Sequence, residues 1–239
     1  MCGIFLALSR EEFSNNQTNL FKNLCQNYIR PRGPSSEEFI NHGNLLTYQS
    51  ILSIQQKDKR KNVALNNNQI ILYNGEIYNF NINLFNNDTD FLKDSFKRNK
   101  LSDSLKESDG MYIVCSIKKD TWKNIDVELY RDVVGEKHCW YYFDEKIFIL
   151  SSVPAVIREF IKSFSKLEID KDVFYDYLKR RHLISPEKHI LKGIKQILPG
   201  EKLKLNFFEW RIKKSTHKHS FDLFNYDIYE EYKSNKNIY

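Results

Sequence analysis

The apolar run that begins directly after the second residue constrains the fold more than any other segment. Gly3 to Leu8 reads GIFLAL, without a single polar side chain. A short run of this kind predicts a buried strand. Chain termini usually fray, so a buried strand at the extreme N-terminus implies that this terminus is held inside the fold.

Cys2 precedes this strand and becomes the first residue of the mature chain once the initiator Met is removed. The small cysteine side chain favours that removal. A free α-amino group has a pKa of about 7.7–8.0, so a useful fraction is neutral at pH 7 and can act as a base. Since cysteine is also a strong nucleophile, one residue can supply both groups. The alternative is a cysteine that only belongs to a strand.

Helical and strand patterns alternate along the rest of the chain. Apolar residues recur at helical spacing over residues 17–29, 88–99, 153–162 and 171–181. Strand patterns bounded by turn residues cover 45–54, 69–73, 111–117, 125–131, 138–143 and 146–151, and residues 184–205 read as irregular chain that ends in a strand. Helices combined with two groups of antiparallel strands and a buried terminus predict a layered α+β sandwich.

Composition excludes several classes of protein. With 41% hydrophobic residues, 17 Phe and 14 Tyr among 239 residues, the chain can bury a sizeable core. No apolar run approaches the about 20 residues that span a bilayer, and an acidic pair interrupts the N-terminal run too early for a signal peptide. A cytoplasmic protein is therefore expected, with all four cysteines, Cys2, Cys25, Cys115 and Cys139, as free thiols. No CxxC pair indicates a zinc site.

The net charge is +6, and the densest basic cluster lies at residues 211–219. A solvated surface strand or tail is the ordinary explanation of such a run. A weak patch for nucleic acid or an acidic partner is the alternative. Because no zinc finger or Gly-rich phosphate loop accompanies the cluster, we expect neither a nucleic-acid partner nor a membrane partner.

Acyl transfer by a nucleophile also requires donors where negative charge develops. Asn74 and Gly75 close the predicted strand 69–73, and a side-chain amide beside a backbone N–H suits that task. The alternative is a hairpin turn, since Asn-Gly is a strong turn signal. Asp88 and Glu76 are candidate carboxylates for an α-ammonium group, although a helix cap and a surface charge are their ordinary explanations.

Five motifs occur in the order of a known family: Met1-Cys2-Gly3-Ile4-Phe5, Arg32-Gly33-Pro34, Asn74-Gly75-Glu76-Ile77-Tyr78-Asn79, Asp109-Gly110-Met111-Tyr112 and Arg131-Asp132-Val133-Val134-Gly135-Glu136-Lys137. Together they resemble the class II, N-terminal-nucleophile glutamine amidotransferase domain of asparagine synthetases. Residues 87–90 and 151–153 look most like the branch of asparagine synthetase domain-containing proteins. The resemblance covers residues 1–210. It implies a four-layer αββα sandwich of two antiparallel sheets between helices.

The resemblance implies a catalytic role for each matching residue. Cys2 would attack the side-chain amide of glutamine, and Asn74 and Gly75 would stabilise the tetrahedral oxyanion. Ammonia would leave, and water would release glutamate from the resulting glutamyl thioester. The expected function is therefore the glutaminase half of asparagine biosynthesis.

The resemblance also assigns the groups that bind the substrate. Glu76 and Asp88 would hold the amino-acid end of glutamine, and Arg32 would shape the pocket wall. This reaction requires no metal and no cofactor. ATP and Mg²⁺ would be needed only by a separate synthetase domain or chain, which is the expected partner.

Two departures from the family pattern bear on activity. The family usually places an arginine in the strand after the Arg-Gly-Pro loop, where it binds the α-carboxylate, but residues 47–54 here read TYQSILSI. Synthetases also continue with an ATP-binding domain that carries a Ser-Gly-Gly-x-Asp-Ser loop, which this sequence lacks. The predicted division is an amidotransferase domain (1–162), a linker-like segment leading toward an absent synthetase domain (163–210) and a polar tail (211–239). A catalytically impaired interaction module is the alternative function.

Overall fold

The computed structural model describes residues 2–53, 64–66, 68–121, 123–183 and 185–218, with the backbone alone for 64–66. The first of its two antiparallel sheets contains β1 (Gly3–Ser9), β2 (Ser36–Asn41), β3 (Leu45–Ile51), β8 (Trp140–Phe143), β9 (Ile147–Ser151) and β10 (Ile194–Gln196). The second contains β4 (Ala64–Asn66), β5 (Gln69–Ile77), β6 (Gly110–Thr121), β7 (Asn124–Arg131), β11 (Glu201–Asn206) and β12 (Arg211–Thr216). The strand orders are β10-β8-β9-β1-β3-β2 and β12-β11-β7-β6-β5-β4.

The helices of the described residues are α1 (Asn15–Leu24), α2 (Asp88–Lys97), α3 (Leu101–Glu107), α4 (Pro154–Ile161) and α5 (Lys171–Arg180). A π-helical turn at Cys25–Ile29 and a 3-10 turn at Arg30–Arg32 follow α1. α1 and α4 share a buried apolar cluster with the first sheet, and α2 and α3 share one with the second. Within the described ranges, no helix is both long enough and apolar enough to cross a membrane.

A third apolar cluster fills the space between the two sheets. Successive side chains of β1 alternate between this cluster and the one on the helix side. Ile4, Leu6 and Leu8 belong to the cluster between the sheets, whereas Phe5 and Ala7 pack toward the helices. All five side chains are fully buried. The layers therefore run helix, sheet, sheet, helix, which confirms the predicted four-layer sandwich and the buried N-terminal strand.

Most predicted elements are present with small changes of boundary. The helix predicted over 17–29 becomes α1 followed by the π-helical turn, and the strand predicted over 69–73 continues to residue 77. The strand predicted over 45–54 ends at residue 51, and position 54 lies outside the described residues. β2, β4 and α3 were missed. β2 reads SEEFIN and is a partly exposed edge strand, so it lacks the apolar alternation that reveals inner strands.

The C-terminal part of the described chain adds strands to both sheets. β10 pairs with β8 in the first sheet, and β11 pairs with β7 in the second. β12 pairs with β11 over residues 211–216, where a polar tail was expected. Its exposed, basic side chains resemble a tail because β12 is an edge strand. The division into domains at residues 162 and 210 remains a prediction, and residues 219–239 lie outside the described ranges.

Candidate active site

Cys2 lies immediately before β1, with a partly exposed free thiol. Alternation along β1 directs Ile4 toward the second sheet, and its continuation directs Cys2 the same way. Gly3 allows a close approach here, because a Cβ would lie 2.6 Å from Cγ2 of Ile29 and 2.8 Å from Oγ of Ser50. The candidate nucleophile is therefore held at one end of the first sheet, facing the second.

Arg32 lies beside Cys2 at the end of the 3-10 turn. Its Nε–H donates a hydrogen bond to the carbonyl oxygen of Cys2 at 3.4 Å. Burial lowers the pKa of the Arg32 guanidinium, and the charge of a Cys2 thiolate raises it. A positive charge is thus close to the sulfur that would carry negative charge as a nucleophile.

A glutamine side chain joins the two sheets near this point. Within the described residues, β4 pairs with β5 only at Gln69 and Ile70, which leaves the later part of this edge without a neighbouring strand. There, Oε1 of Gln49 accepts from the N–H of Tyr73 and Nε2 donates to its C=O, both at 2.9 Å. Gln49 is paired with Ile4 across the first sheet. This Gln49 clamp therefore ties the start of β1 to the middle of β5.

Asn74 and Gly75 follow directly after the clamped residue. Because Tyr73 turns its N–H and C=O to the open edge, the alternation of an antiparallel pair directs those of Gly75 to the same edge. A side chain at Gly75 has no room, since a Cβ would lie 2.1 Å from the carbonyl oxygen of Met111 and 2.6 Å from Cα of Tyr112. Glycine thus permits a close backbone approach and leaves a polar edge accessible to a ligand.

The Asn74 side chain points between the sheets, on the face of β5 that carries Ile70 and Leu72. It is 2% exposed, and its Oδ1 has no hydrogen-bond partner among the described residues. A buried acceptor without a partner costs roughly 1–3 kcal/mol, and such groups call for a specific explanation. The other end of this amide, Nδ2, is a donor, and together with the edge N–H of Gly75 it would form the pair of donors that an oxyanion requires.

Asp88 lies at the same edge. It is the first residue of α2, is 4% exposed, and accepts from the Tyr73 hydroxyl at 2.7 Å and the Ile77 N–H at 3.4 Å. Ile77 is two residues beyond Gly75, or about 7 Å at the usual strand rise. The N-cap of α2 is Asn87 rather than Asp88, so capping does not explain this carboxylate.

Glu76 has a more open position. It shares the inter-sheet face of β5 with Asn74 and is partly exposed. It pairs with Met111 at the end of the ladder between β5 and β6. The two candidate carboxylates therefore lie at the same end of β5, one within the protein and one near solvent.

The loop after β7 begins at this end of the second sheet, a position that the sequence did not predict. Arg131 pairs with Ile113, which pairs with Asn74, so the three residues form one row across the sheet. The carboxylate of Asp132 accepts backbone N–H groups from residues 135–137, which fixes the loop. Residues 131–137 supported the family resemblance, but only the register shows that they belong beside the candidate donors.

Comparison with known families agrees with this geometry. The model of a glutamine amidotransferase domain matches residues 1–215. The chain belongs to this family. The match covers the candidate residues and extends through β10 and β11 to all but the last residue of β12. A search of curated proteins found none that matches this chain.

Solved structures show the same fold. Glutamine phosphoribosylpyrophosphate amidotransferase from B. subtilis, complexed with ADP and GMP, is 13% identical, with a TM-score of 0.54 over 90% of this chain and 49% of that one. An allosteric regulatory enzyme of purine biosynthesis is 11% identical, with a TM-score of 0.56 and the same coverage. The amidotransferase domain therefore spans about half the length of these proteins and shares the architecture of that half.

Proposed function

We propose that the amidotransferase domain hydrolyses glutamine at Cys2 and releases ammonia. The observation that carries this proposal is the Gln49 clamp. It ties β3, which pairs with β1 next to the nucleophile, to the strand of Asn74 and Gly75. Family membership supports the reaction type, and the clamp explains how Cys2 and Asn74, 72 positions apart, come to act on one amide group of the substrate.

The reaction follows from the groups at this end of the sandwich. The free α-amino group of Cys2 accepts the thiol proton, and the sulfur attacks the amide carbon of glutamine. The amide of Asn74 and the N–H of Gly75 stabilise the oxyanion. The protonated amine returns its proton to the leaving nitrogen, so ammonia departs and a thioester remains. Water then attacks the thioester, and glutamate leaves.

Asp88 and Glu76 hold the α-ammonium group of the substrate. The Asp88 carboxylate lies near the N–H of Ile77, about 7 Å along the edge from that of Gly75. This separation suits a glutamine whose amide oxygen is at Gly75 and whose α-ammonium is at Asp88. Arg32 forms the wall beside Cys2 and keeps positive charge next to the sulfur.

The α-carboxylate lacks the arginine that the family usually provides. Residues 47–53 of the described chain contain no basic side chain. Arg30 is already committed, because its guanidinium binds Glu37 and the carbonyl oxygen of Gly33. Loss of a charge-assisted hydrogen bond of about 1.5–3 kcal/mol raises KM for glutamine by about tenfold or more. We therefore propose a glutaminase that binds free glutamine weakly.

The first experiment compares ammonia and glutamate release by the wild type, Cys2→Ala and the matched control Cys25→Ala. Cys25 is buried in the layer between α1 and the first sheet, so its substitution should preserve activity. Intact-mass analysis must first show that Met1 is removed, because a retained Met blocks the base. Equal ammonia release from wild type and Cys2→Ala contradicts the proposal. A processed wild type without glutaminase activity instead favours the impaired interaction module.

We further propose that the ammonia serves asparagine synthesis by an ATP- and Mg²⁺-dependent synthetase domain or chain. The support is the resemblance of the motifs to asparagine synthetases. Cells fed amide-¹⁵N glutamine provide the test. Disruption of the gene should remove the label from asparagine and leave it in other glutamine-derived products, whereas unchanged asparagine labelling contradicts this acceptor.

A further inference from the structure

A network of polar side chains lies behind the turn that carries Arg32. Its centre is Glu37 in β2, whose Oε2 accepts a hydrogen bond from the Tyr48 hydroxyl and another from Nε2 of Gln26 at 3.0 Å. The same oxygen lies 3.3 Å from Nε of Arg30. The hydrogen bond from Tyr48, followed by that from Gln26 and the charge of Arg30, lowers the pKa of Glu37. The carboxylate is therefore ionised at neutral pH.

Arg30 extends this network to the turn itself. Its Nη1 donates to the carbonyl oxygen of Gly33 at 2.8 Å, and the Gly33 N–H donates to the carbonyl oxygen of Arg30 at 3.1 Å. Gly33 lies against β3 so closely that a Cβ would be 2.5 Å from the backbone N of Ile51. The turn is thus held by its first side chain, by its own backbone and by the strand below it.

Arg32 is the member of this turn that contacts the nucleophile. Its hydrogen bond to the Cys2 carbonyl is 3.4 Å long, which is weak by itself. Such a contact can fix the main chain of Cys2 only if the turn that carries Arg32 does not move. Arg30 and Glu37 supply that rigidity. Nη1 of Arg30 binds the carbonyl oxygen of Gly33, and its Nε binds the carboxylate of Glu37.

We propose that Glu37 and Arg30 are positioning residues for Cys2, acting through the turn that presses Arg32 against its carbonyl group. This inference rests on the proposed glutaminase function. It requires no contact between the pair and the substrate. Misplacement of a reacting group by about 1 Å costs up to about 100-fold in rate, so a small movement of the turn is enough to affect catalysis.

Glu37→Gln and Arg30→Lys test this proposal. The first removes the negative charge of Glu37, and the second removes the guanidinium group that contacts both Glu37 and Gly33. We expect kcat to fall about tenfold with KM for glutamine within about twofold, because positioning affects the reacting atoms more than binding. Alkylation of the Cys2 thiol by iodoacetamide should slow in parallel. Glu168→Gln and Arg158→Lys are matched controls, since they alter solvent-accessible ion pairs like that of Arg30 and Glu37 but at other places in the fold, and they should leave both rates unchanged.

The double variant should be no slower than the worse single variant, because the two residues act in series. Tyr48→Phe removes one hydrogen bond to Glu37 and provides a milder variant, with a smaller decrease in kcat, in case the others fold poorly. An unchanged kcat and alkylation rate in a folded variant would overturn the proposal. A raised KM with unchanged kcat would also overturn it. Cys2→Ala should abolish hydrolysis in every case, so the proposed function is tested separately.

Discussion

Replacement of Gln49 by leucine should destabilise the protein and lower its activity together. Gln49 is 5% exposed, and its amide satisfies both the N–H and the C=O of Tyr73 at 2.9 Å. Leucine has a similar size but leaves two backbone groups without partners, at roughly 1–3 kcal/mol each. Burial of the new apolar side chain offsets part of this cost. We expect a loss of about 3 kcal/mol, or a decrease in Tm of about 6–12 °C.

Gln49→Glu separates hydrogen bonding from packing. The new carboxylate still accepts from Tyr73 N–H, but an ionised oxygen faces the carbonyl group, whereas the protonated acid can donate to it. Folding therefore raises the pKa of the new carboxyl group above its unfolded value of about 4.3. The folded state then binds more protons than the unfolded state. The variant's deficit in free energy of unfolding against wild type should therefore shrink as the pH falls from 7 toward about 4.5.

Urea denaturation at pH 7.5 and pH 5, with ammonia release measured on the same samples, tests both variants. The deficit of Gln49→Leu should be the same at the two pH values, while that of Gln49→Glu should be smaller at pH 5. Both variants should lose kcat, because β5 is no longer tied to the start of β1. A Gln49→Leu protein within about 1 kcal/mol of wild type, or with full activity, would refute the clamp.

Three further predictions concern single residues. Asn74→Ala should lower kcat by about 10²–10³, yet change the free energy of unfolding in urea by only about 1 kcal/mol, because its Oδ1 has no partner among the described residues. Gly75→Ala should abolish glutaminase activity and lower Tm, since the added Cβ would meet the Met111 carbonyl oxygen at 2.1 Å. Burial, with a smaller contribution from the charge of Lys218, lowers the pKa of His217 to about 4. Between about pH 6.5 and pH 4 the unfolded state therefore binds more protons than the folded state. The free energy of unfolding measured in urea should be roughly 2 kcal/mol lower at pH 5 than at pH 7, and His217→Phe should lack this decrease.

The sequence was most informative where function and local structure depend on neighbouring residues. The buried strand after Cys2 was predicted because six consecutive residues, Gly3 to Leu8, carry no polar group. The strand before Asn74 and Gly75 was predicted from its apolar run, but its end was wrong: both residues lie inside β5, which pairs with β6 as far as Ile77. These features need no knowledge of distant contacts, so composition and period revealed them.

Contacts between distant residues escaped prediction. Gln49 was recognised only as part of a strand without arginine, because nothing in the sequence pairs it with Tyr73, 24 residues away. The partnership of Arg30 with Glu37 depends on how β2 lies beside the turn, and β2 itself was missed. Polar side chains that satisfy a specific backbone group lack a periodic pattern, and they are identified only when the register is known.

The open edge of β5 explains why the candidate site lies where it does. An unpaired strand edge exposes N–H and C=O groups at every second residue and normally favours aggregation. Here the edge groups of Tyr73 are satisfied by Gln49, and the N–H of Ile77 is accepted by Asp88. Gly75 lies between these two positions and faces the same edge. A neighbouring strand along the whole of β5 would pair Gly75 and leave no donor for a ligand. Among the described residues β4 pairs only with Gln69 and Ile70, and the two side-chain partners satisfy edge groups on either side of the proposed oxyanion donor.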